Sequence, residues 1–304
     1  MRKLIYIILT ICMPVVISAQ ALPFTATDYS PVTAAKGGAA AVETSSIAYA
    51  AFTNPAAITF SDVKGDFAAG YTLWQPSLLS TTVYGVSGAY NINQKFGVSA
   101  GFNYGSLPGY EILDEAGTSK GEFSPSQYQL AFGFSWRFSK YLALGVNLGY
   151  AGQSLTEKDS YGAFTSDIFA MTQIKGFKAA LGLSNLGTKV TSVSGGEYPL
   201  PSSLKLGLGY GTTFASKHNL EVNADMDYYF QNAFTAALGA GYTYNDLLSL
   251  RAGYRYGGES VVPSYASFGL GLKFFGVTLD AAYLVADSTS PMRNTMMFGI
   301  GYRF

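Results

Sequence analysis

Gly299-Ile300-Gly301-Tyr302-Arg303-Phe304 closes the chain, and its reading decides the fold. In extended backbone, alternate side chains point to opposite faces. Phe298, Ile300, Tyr302 and Phe304 then share one face, and Gly299, Gly301 and Arg303 share the other. An aromatic and aliphatic face suits lipid, and a glycine-plus-charge face suits a polar lumen. Gly299, Tyr302 and the terminal Phe304 form the closing-strand pattern that the barrel assembly machinery of an outer membrane is expected to read. Met297 departs from it, since that position usually carries a polar residue.

The other end of the chain agrees. Arg2 and Lys3 precede an apolar run, Leu4 to Val16, and Ile17-Ser18-Ala19 ends in a small residue. This reads as a secretory signal peptide, residues 1–19, cleaved before Gln20. The run is too short to span a bilayer comfortably as a helix. A lipoprotein reading through Cys12 fails, because Ile11 stands where Gly, Ala or Ser is needed.

Composition narrows the class. Cys12 is the only cysteine and leaves with the signal, so no disulfide or thiol chemistry is expected in the mature chain. Charged residues are 12% and aromatics 15%, with 35 Gly and 23 Tyr. A soluble domain carries about twice that charge. No long apolar run follows Val16, so an apolar chain without a spanning helix is left with a large soluble β-protein or a membrane barrel. Losing Arg2 and Lys3 leaves 17 Lys+Arg against 19 Asp+Glu, a balance that gives no case for nucleic-acid binding.

From Asp66 onward the sequence alternates with period two. In one segment Tyr128, Leu130, Phe132, Phe134, Trp136 and Phe138 face lipid, opposite Gln129, Ala131, Gly133, Ser135 and Arg137. The next repeats the pattern with Leu142, Leu144, Val146, Leu148 and Tyr150. About 14 such strands follow, an allowed even number for a single-chain barrel. They begin near Asp66, Ser80, Lys95, Ser126, Tyr141, Gly162, Gly176, Ser202, Lys217, Ala233, Leu247, Ser264, Gly276 and Asn294. Short connections at 91–94, 139–140, 174–175, 215–216, 245–246 and 275–276 alternate with longer ones at 106–125, 155–161, 187–201, 257–263 and 287–293. Connections at 75–79 and 230–232 are short exceptions. Outer-membrane barrels have short periplasmic turns and long extracellular loops, so both termini are expected in the periplasm. The fold class is therefore a transmembrane antiparallel β-barrel, residues 66–304, set in outer-membrane lipid.

Residues 20–65 differ, being rich in Ala, Gly, Ser and Thr. They read as a plug in the lumen, against the alternative of a flexible periplasmic tail. Ala34–Val42, which includes Gly37 and Gly38, and Ser46–Ala57 are runs of small residues, and Asn54-Pro55-Ala56-Ala57 breaks the stretch before Asp62.

Chemistry is sparse. His218 is the only histidine and sits beside a short turn, so it reads as a solvated turn residue rather than a catalytic base. No Cys/His cluster suggests zinc and no phosphate-binding loop occurs. No enzyme activity, cofactor or metal is expected. The inward face does carry charge: Lys205, then Glu221, Asp225 and Asp227, then Arg251 and Arg255, with Arg137, Lys273, Asp280 and Arg303. Charges on the lipid face cost up to a few kcal/mol at mid-membrane, so their common parity supports the register. They line either a selective channel or a closed lumen filled by ion pairs and plug contacts. Mixed signs favour the second.

Several stretches resemble a known family. Residues 36–42 and Asn54-Pro55-Ala56 resemble the N-terminal plug of FadL-like barrels. Asn103-Tyr104-Gly105, Asp114-Glu115-Ala116-Gly117 and Gly121-Glu122-Phe123-Ser124 resemble the PorV/PorQ family of type IX secretion outer-membrane proteins. Leu183-Ser184-Asn185-Leu186-Gly187 and Tyr198-Pro199-Leu200-Pro201-Ser202 continue the likeness, which spans Ala34 to Phe304. The resemblance implies a 14-stranded FadL-like barrel in type IX secretion. A PorV-like member receives cargo bearing a C-terminal signal domain and presents it to a surface sortase. A PorQ-like member anchors a surface partner.

Two functions follow. In the first, loops 106–125 and 187–201 dock cargo or a surface partner. Leu107, Tyr110, Ile112, Leu113 and Phe123 would form the apolar centre, and Glu111, Asp114, Glu115 and Glu122 the polar rim. In the second, the chain is a FadL-like transporter of a hydrophobic small molecule. That reading expects an apolar pocket beneath the loops and a strand kink toward lipid. Phe52, Ile58 and Phe60 either line such a pocket or pack the plug.

Overall fold

The computed structural model describes residues 20–78, 80–192, 195–257 and 262–304. The signal-peptide reading of residues 1–19 lies outside them. In chain order the strands are β1 (Gly65–Trp74), β2 (Thr81–Asn91), β3 (Phe96–Ser106), β4 (Tyr110–Leu113), β5 (Ser119–Phe123), β6 (Ser126–Ser139), β7 (Leu142–Ser154), β8 (Ser160–Ile174) and β9 (Phe177–Gly187). They continue with β10 (Val190–Thr191), β11 (Glu197–Tyr198), β12 (Ser203–Phe214), β13 (His218–Tyr229), β14 (Ala233–Tyr244), β15 (Leu248–Tyr256), β16 (Tyr265–Phe274), β17 (Val277–Val285) and β18 (Met296–Arg303).

All but the two small pairs β4–β5 and β10–β11 belong to one closed antiparallel barrel of 14 strands. Each barrel strand starts within two residues of the start expected from the sequence. The closing strand β18 pairs with β1 from Asp66↔Arg303 to Leu73↔Met296, so no edge is left unpaired in lipid. Outside and inside separate cleanly along each strand. Phe132 is 57% exposed while its neighbour Ala131 is 3% exposed.

The short turns have a local cause. Ala215 with Ser216, Asn245 with Asp246, and Phe275 with Gly276 each put two consecutive residues at positive φ. That geometry matches the twist of the flanking strands in a two-residue hairpin. At the other end, the 106–125 connection is not a plain loop. It carries the hairpin β4–β5, with Tyr110 opposite Phe123 and Glu111 opposite Glu122.

Residues 20–64 run inside the barrel. They form 3-10 turns at Pro23–Ala26, Ala50–Phe52 and Pro55–Phe60, and one helical turn at Pro31–Ala34. Proline at the first position and the caps Ser30 and Asn54 explain where two of these start. Their apolar side chains meet the inner wall. Ile58 packs with Ile47, Ala50 and Ala89, and Phe60 packs with Ala56, Ala57, Phe169 and Met171. Burying each such large side chain contributes about 1.5–3 kcal/mol.

The two ends of the described chain do not share one end of the barrel. Phe304 exchanges backbone hydrogen bonds of 3.0 Å with Gly65 at the short-turn end. Gln20 lies at the long-loop end: its Nε2 donates to Gln231 Oε1 at 3.0 Å, and Ala21 N–H donates to Pro199 O at 2.9 Å. The expectation of both termini on one side is corrected for the first described residue. The segment reaches β1 by crossing the lumen from the far end.

Candidate functional site

The candidate site is the lumen where the N-terminal segment meets the inward side chains. Residues 36–48 are mostly irregular backbone, so their polar groups need partners from the wall. Asp225 on β13 accepts the N–H groups of Ala40 and Ala41, both at 2.8 Å. Asp66 on β1 accepts those of Ile47 at 2.9 Å and Ala48 at 3.2 Å. Arg255 on β15 donates Nε to Gly37 O and Nη2 to Gly38 O, each at 3.0 Å.

Gly37 and Gly38 stand at φ +71° and +78°. A Cβ on Gly37 would lie 2.7 Å from Tyr254 O, and one on Gly38 2.7 Å from the Arg255 guanidinium. The pair therefore serves both the left-handed turn and the close approach to the wall. From the other side, a Cβ on Gly253 would lie 2.2 Å from the backbone of Lys36.

Charge is balanced locally. Lys36 is fully buried and pairs with Glu43 of its own segment and with Glu221 of β13, the latter at 2.7 Å. Lys205 pairs with Asp227 at 3.0 Å, and Arg255 reaches the same carboxylate at 3.5 Å. Arg251 pairs with Asp280 at 2.7 Å, Lys273 with Asp246 at 2.5 Å, and Arg303 with Asp66 at 3.2 Å. Buried charges are tolerable when they are paired and hydrogen-bonded. These pairs fill the lumen with mixed charge rather than a ring of one sign.

The opposite wall holds residues 50–61 with amides and, at one end, with Arg137. Asn91 Nδ2 donates to Ile58 O at 3.0 Å and Ser61 O at 3.2 Å. Asn147 Nδ2 lies 3.4 Å from both Ala50 O and Thr53 O. Arg137 donates to Thr59 O at 2.7 Å and lies 4.9 Å from the Phe60 ring centre. Asn54 caps its turn by accepting from Ala56 N–H at 2.9 Å and donates to Ala41 O at 2.6 Å, tying the two halves together. Pro55 and Ala56 press on the wall where Gly145 leaves space: a Cβ there would lie 2.3 Å from Ala56 N.

Each lumen charge named from the sequence thus touches another charge or the segment. The spacing did not single out Lys36, Glu43, Asp66, Asn91 or Asn147. A lysine and a glutamate isolated in an Ala/Gly stretch were the available signal for the first two. Phe52, Ile58 and Phe60 pack: Ile58 is fully buried, and the Phe52 ring lies 2.3 Å from where a Gly101 Cβ would stand.

The wall is irregular at one place that matters. The β8–β9 register shifts between Ser166 and Ile168, and Asn185 opposite stands at φ +55°. Asp167 accepts from Asn185 N–H at 2.7 Å and from Asn147 Nδ2 at 3.0 Å. The 183–187 stretch that carried the family likeness is therefore a bulge. Asn185 Nδ2 donates to Thr25 O of the segment at 3.3 Å, and the adjoining Leu22 and Phe24 pack with Val190 and Leu200. Two polar spaces flank the segment. One of about 60 Å³ touches Asp28, Asp167, Lys205 and Asp227, and a bowl of about 780 Å³ opens at the short-turn end around Lys178, Glu221, Arg251 and Asp280.

At the long-loop end, hairpin β4–β5 puts Tyr110, Ile112 and Phe123 on one face and Glu111 and Glu122 on the other. Tyr110 is 41% and Leu113 56% exposed, while Leu107, Ile112 and Phe123 are half-buried. The Tyr110 hydroxyl donates to Leu155 O at 3.1 Å, and its ring packs 5.8 Å from that of Phe123. At the short-turn end, His218 follows the outward parity of Leu220 and Val222. It is half-buried between Phe214 and Tyr244, with Nδ1 2.6 Å from the Tyr242 hydroxyl, which corrects its reading as a solvated turn residue. Among the described residues no group of three or more His, Cys, Asp or Glu side chains is placed to hold a metal, and no helix is long and apolar enough to cross a membrane.

Comparison with known proteins follows this geometry. The model of the family "Type IX secretion system protein PorV" matches residues 15–232. No curated protein matches the chain. Among solved structures, the chain is similar to a deletion mutant of the TodX monoaromatic hydrocarbon channel, with a TM-score of 0.64 and 14% identity over 90% of this chain and 98% of that one. The Ralstonia pickettii toluene transporter TbuX gives 0.63 and 13% over 90% and 97%. The Pseudomonas putida toluene transporter TodX gives 0.60 and 14% over 90% and 96%. At such identities the likeness is one of fold.

Proposed function

Because this chain belongs to the PorV family of type IX secretion system proteins, we propose that it is a plugged outer-membrane barrel that binds secreted cargo or a surface partner through its long loops. The family and fold are those of an outer-membrane secretion or transport barrel. In this reading residues 1–19 direct export, residues 20–65 are the plug, and residues 66–304 are the barrel. Gly299, Tyr302 and Phe304 are read by the assembly machinery. The short turns lie in the periplasm and the long loops outside.

The observation that carries the reading is the filled lumen beside an exposed hairpin. Backbone groups of residues 37–48 are held by Asp66, Asp225 and Arg255, and a solute crossing the full length of the lumen would have to release them at each passage. The hairpin offers Tyr110, Ile112, Leu113 and Phe123 around a rigid base, the arrangement of a small interface core. The transporter reading draws on the fold likeness to hydrocarbon channels; Ile58, packed against Ile47, Ala50 and Ala89, speaks against it, while Phe52 and Phe60 each border one of the two polar spaces. The test removes residues 109–123 and measures capture of secreted proteins by the purified barrel. Loss of capture at unchanged membrane abundance supports the reading. Retained capture with loss of uptake of a hydrophobic solute supports the transporter.

A further inference from the structure

The outer wall of β1–β3 carries a groove with cations at its foot. Phe67 and Ala69 of β1, Val86 and Gly88 of β2, and Ala100 and Phe102 of β3 line an apolar groove of about 640 Å³. Ala69 and Ala100 supply the depth, and the Phe67 ring lies over Gly88 to form one side. Pairing fixes the levels: Phe67, Gly88 and Ala100 stand abreast, and Ala69, Val86 and Phe102 stand abreast one step further from the short turns.

At the short-turn edge of the same strands stand Lys64 and Lys95, both exposed. The Lys64 ammonium lies 5.9 Å from the Tyr90 ring centre, and the Lys95 ammonium 5.6 Å from that of Phe96. Tyr90 and Phe96 are outward-facing, in the aromatic level that marks a membrane interface. The two lysines therefore sit at headgroup depth, two interstrand spacings apart, about 10 Å. No carboxylate of the described residues pairs with either.

A neighbouring groove provides a comparison. About 520 Å³ is lined by Tyr71, Leu270, Leu279, Ala281, Phe298 and others on β16–β18 and β1. Its short-turn edge is Phe274 and Phe275, and the nearby Lys273 is engaged with Asp246. That groove has acyl-sized space and shares Lys64 through β1, but its edge has no second free cation among the described residues.

We infer that the β1–β3 groove holds one acyl chain of an anionic glycerophospholipid of the periplasmic leaflet, with its phosphate bound between Lys64 and Lys95. Charge complementarity selects the headgroup, and the small residues at positions 69 and 100 admit the chain. The inference rests on the short turns lying in the periplasm and is independent of the cargo reading.

Native mass spectrometry of the detergent-purified barrel tests it, with palmitoyl-oleoyl phosphatidylglycerol and phosphatidylcholine as probes. The intact barrel should retain the glycerol lipid over the choline lipid by about thirty-fold, the order expected for two lysines at a membrane surface. K64Q/K95Q should equalise the two lipids. Ala100→Phe should lower retention of phosphatidylglycerol, and Ala281→Phe in the neighbouring groove should leave it unchanged. Heat-modifiable migration in SDS gels identifies the folded variants. Equal retention of both lipids by the intact barrel overturns the inference. So does equal loss from Ala100→Phe and Ala281→Phe. If Ala100→Phe instead releases a co-purifying protein and spares the lipid, the groove is a protein contact and the inference is wrong.

Discussion

One barrel holds one segment by two different kinds of wall. Strands β12–β18 with β1 face residues 36–48 with Lys205, Asp225, Asp227, Arg255 and Asp66. Strands β2–β8 face residues 50–61 with Asn91, Asn147, Ser135 and inward glycines, and Arg137 is the cation among them. The difference follows from what the segment leaves unsatisfied. Its 3-10 turns at Ala50–Phe52 and Pro55–Phe60 bond much of their own backbone, so amides and close packing suffice there. The irregular stretch before them presents pairs of adjacent N–H groups and adjacent carbonyls. A carboxylate accepts two N–H groups at once, and a guanidinium donates to two carbonyls at once. Charge on one wall is thus a consequence of backbone geometry rather than a sign of ion traffic.

The largest expected contrast lies in side-chain deletion. Arg255→Ala removes two donors to the segment and a partner of buried Asp227, and should destabilise the barrel by about 3–5 kcal/mol. Asn91→Ala removes neutral hydrogen bonds to Ile58 O and Ser61 O and should cost about 1–2 kcal/mol. Denaturant titration followed by heat-modifiable gel migration compares them. Equal losses would show that the two walls do not differ as described.

A second contrast should vanish, and by vanishing sharpens the first. Gly253→Ala and Gly145→Ala would each push a methyl into segment backbone, at 2.2 Å from Lys36 and 2.3 Å from Ala56. Overpacking of this kind costs about 1–3 kcal/mol whatever the wall's polarity. Protease sensitivity of residues 20–64 should rise similarly in both variants. A large rise in one alone would mean that the segment rests on that wall only.

The smallest effect concerns the hairpin carried between β3 and β6, on the neutral side of the barrel. The backbone N–H of Thr118, followed by the Lys120 ammonium, holds the Asp114 carboxyl below the ordinary carboxylate range. A depressed carboxyl contributes order that is present above its unfolded pKa and lost as pH falls through its folded one. The protection factor at Thr118, taken against the intrinsic exchange rate at each pH, should therefore fall on acidification below that range while the barrel strands stay protected. Unchanged protection at Thr118 would remove Asp114 as the turn's anchor.

Much of this was legible from order along the chain. Alternation with period two, as in Tyr128 to Phe138, fixed strands, faces and inward charges, because a membrane wall permits no other pattern. Turn pairs such as Asn245 with Asp246 fixed the connections. The N-terminal segment has no such period: short 3-10 turns and Ala/Gly coil leave no repeating face. Its path to Gln20 at the long-loop end, and the pairing of Lys36 with Glu221, depend on contacts between residues far apart in sequence. The β4–β5 hairpin was read as loop because its strands are short and its Glu111–Glu122 pair opposes like charges.

In the proposed function the clamped segment closes the lumen, and the loops rather than the pore carry the activity. Ion conductance of the purified barrel in a planar lipid bilayer tests it most directly. The intact chain should show no steady conductance, and the same barrel lacking residues 20–61 should conduct as an open pore. Steady conductance through the intact chain, at a level the deletion does not raise, would contradict the account.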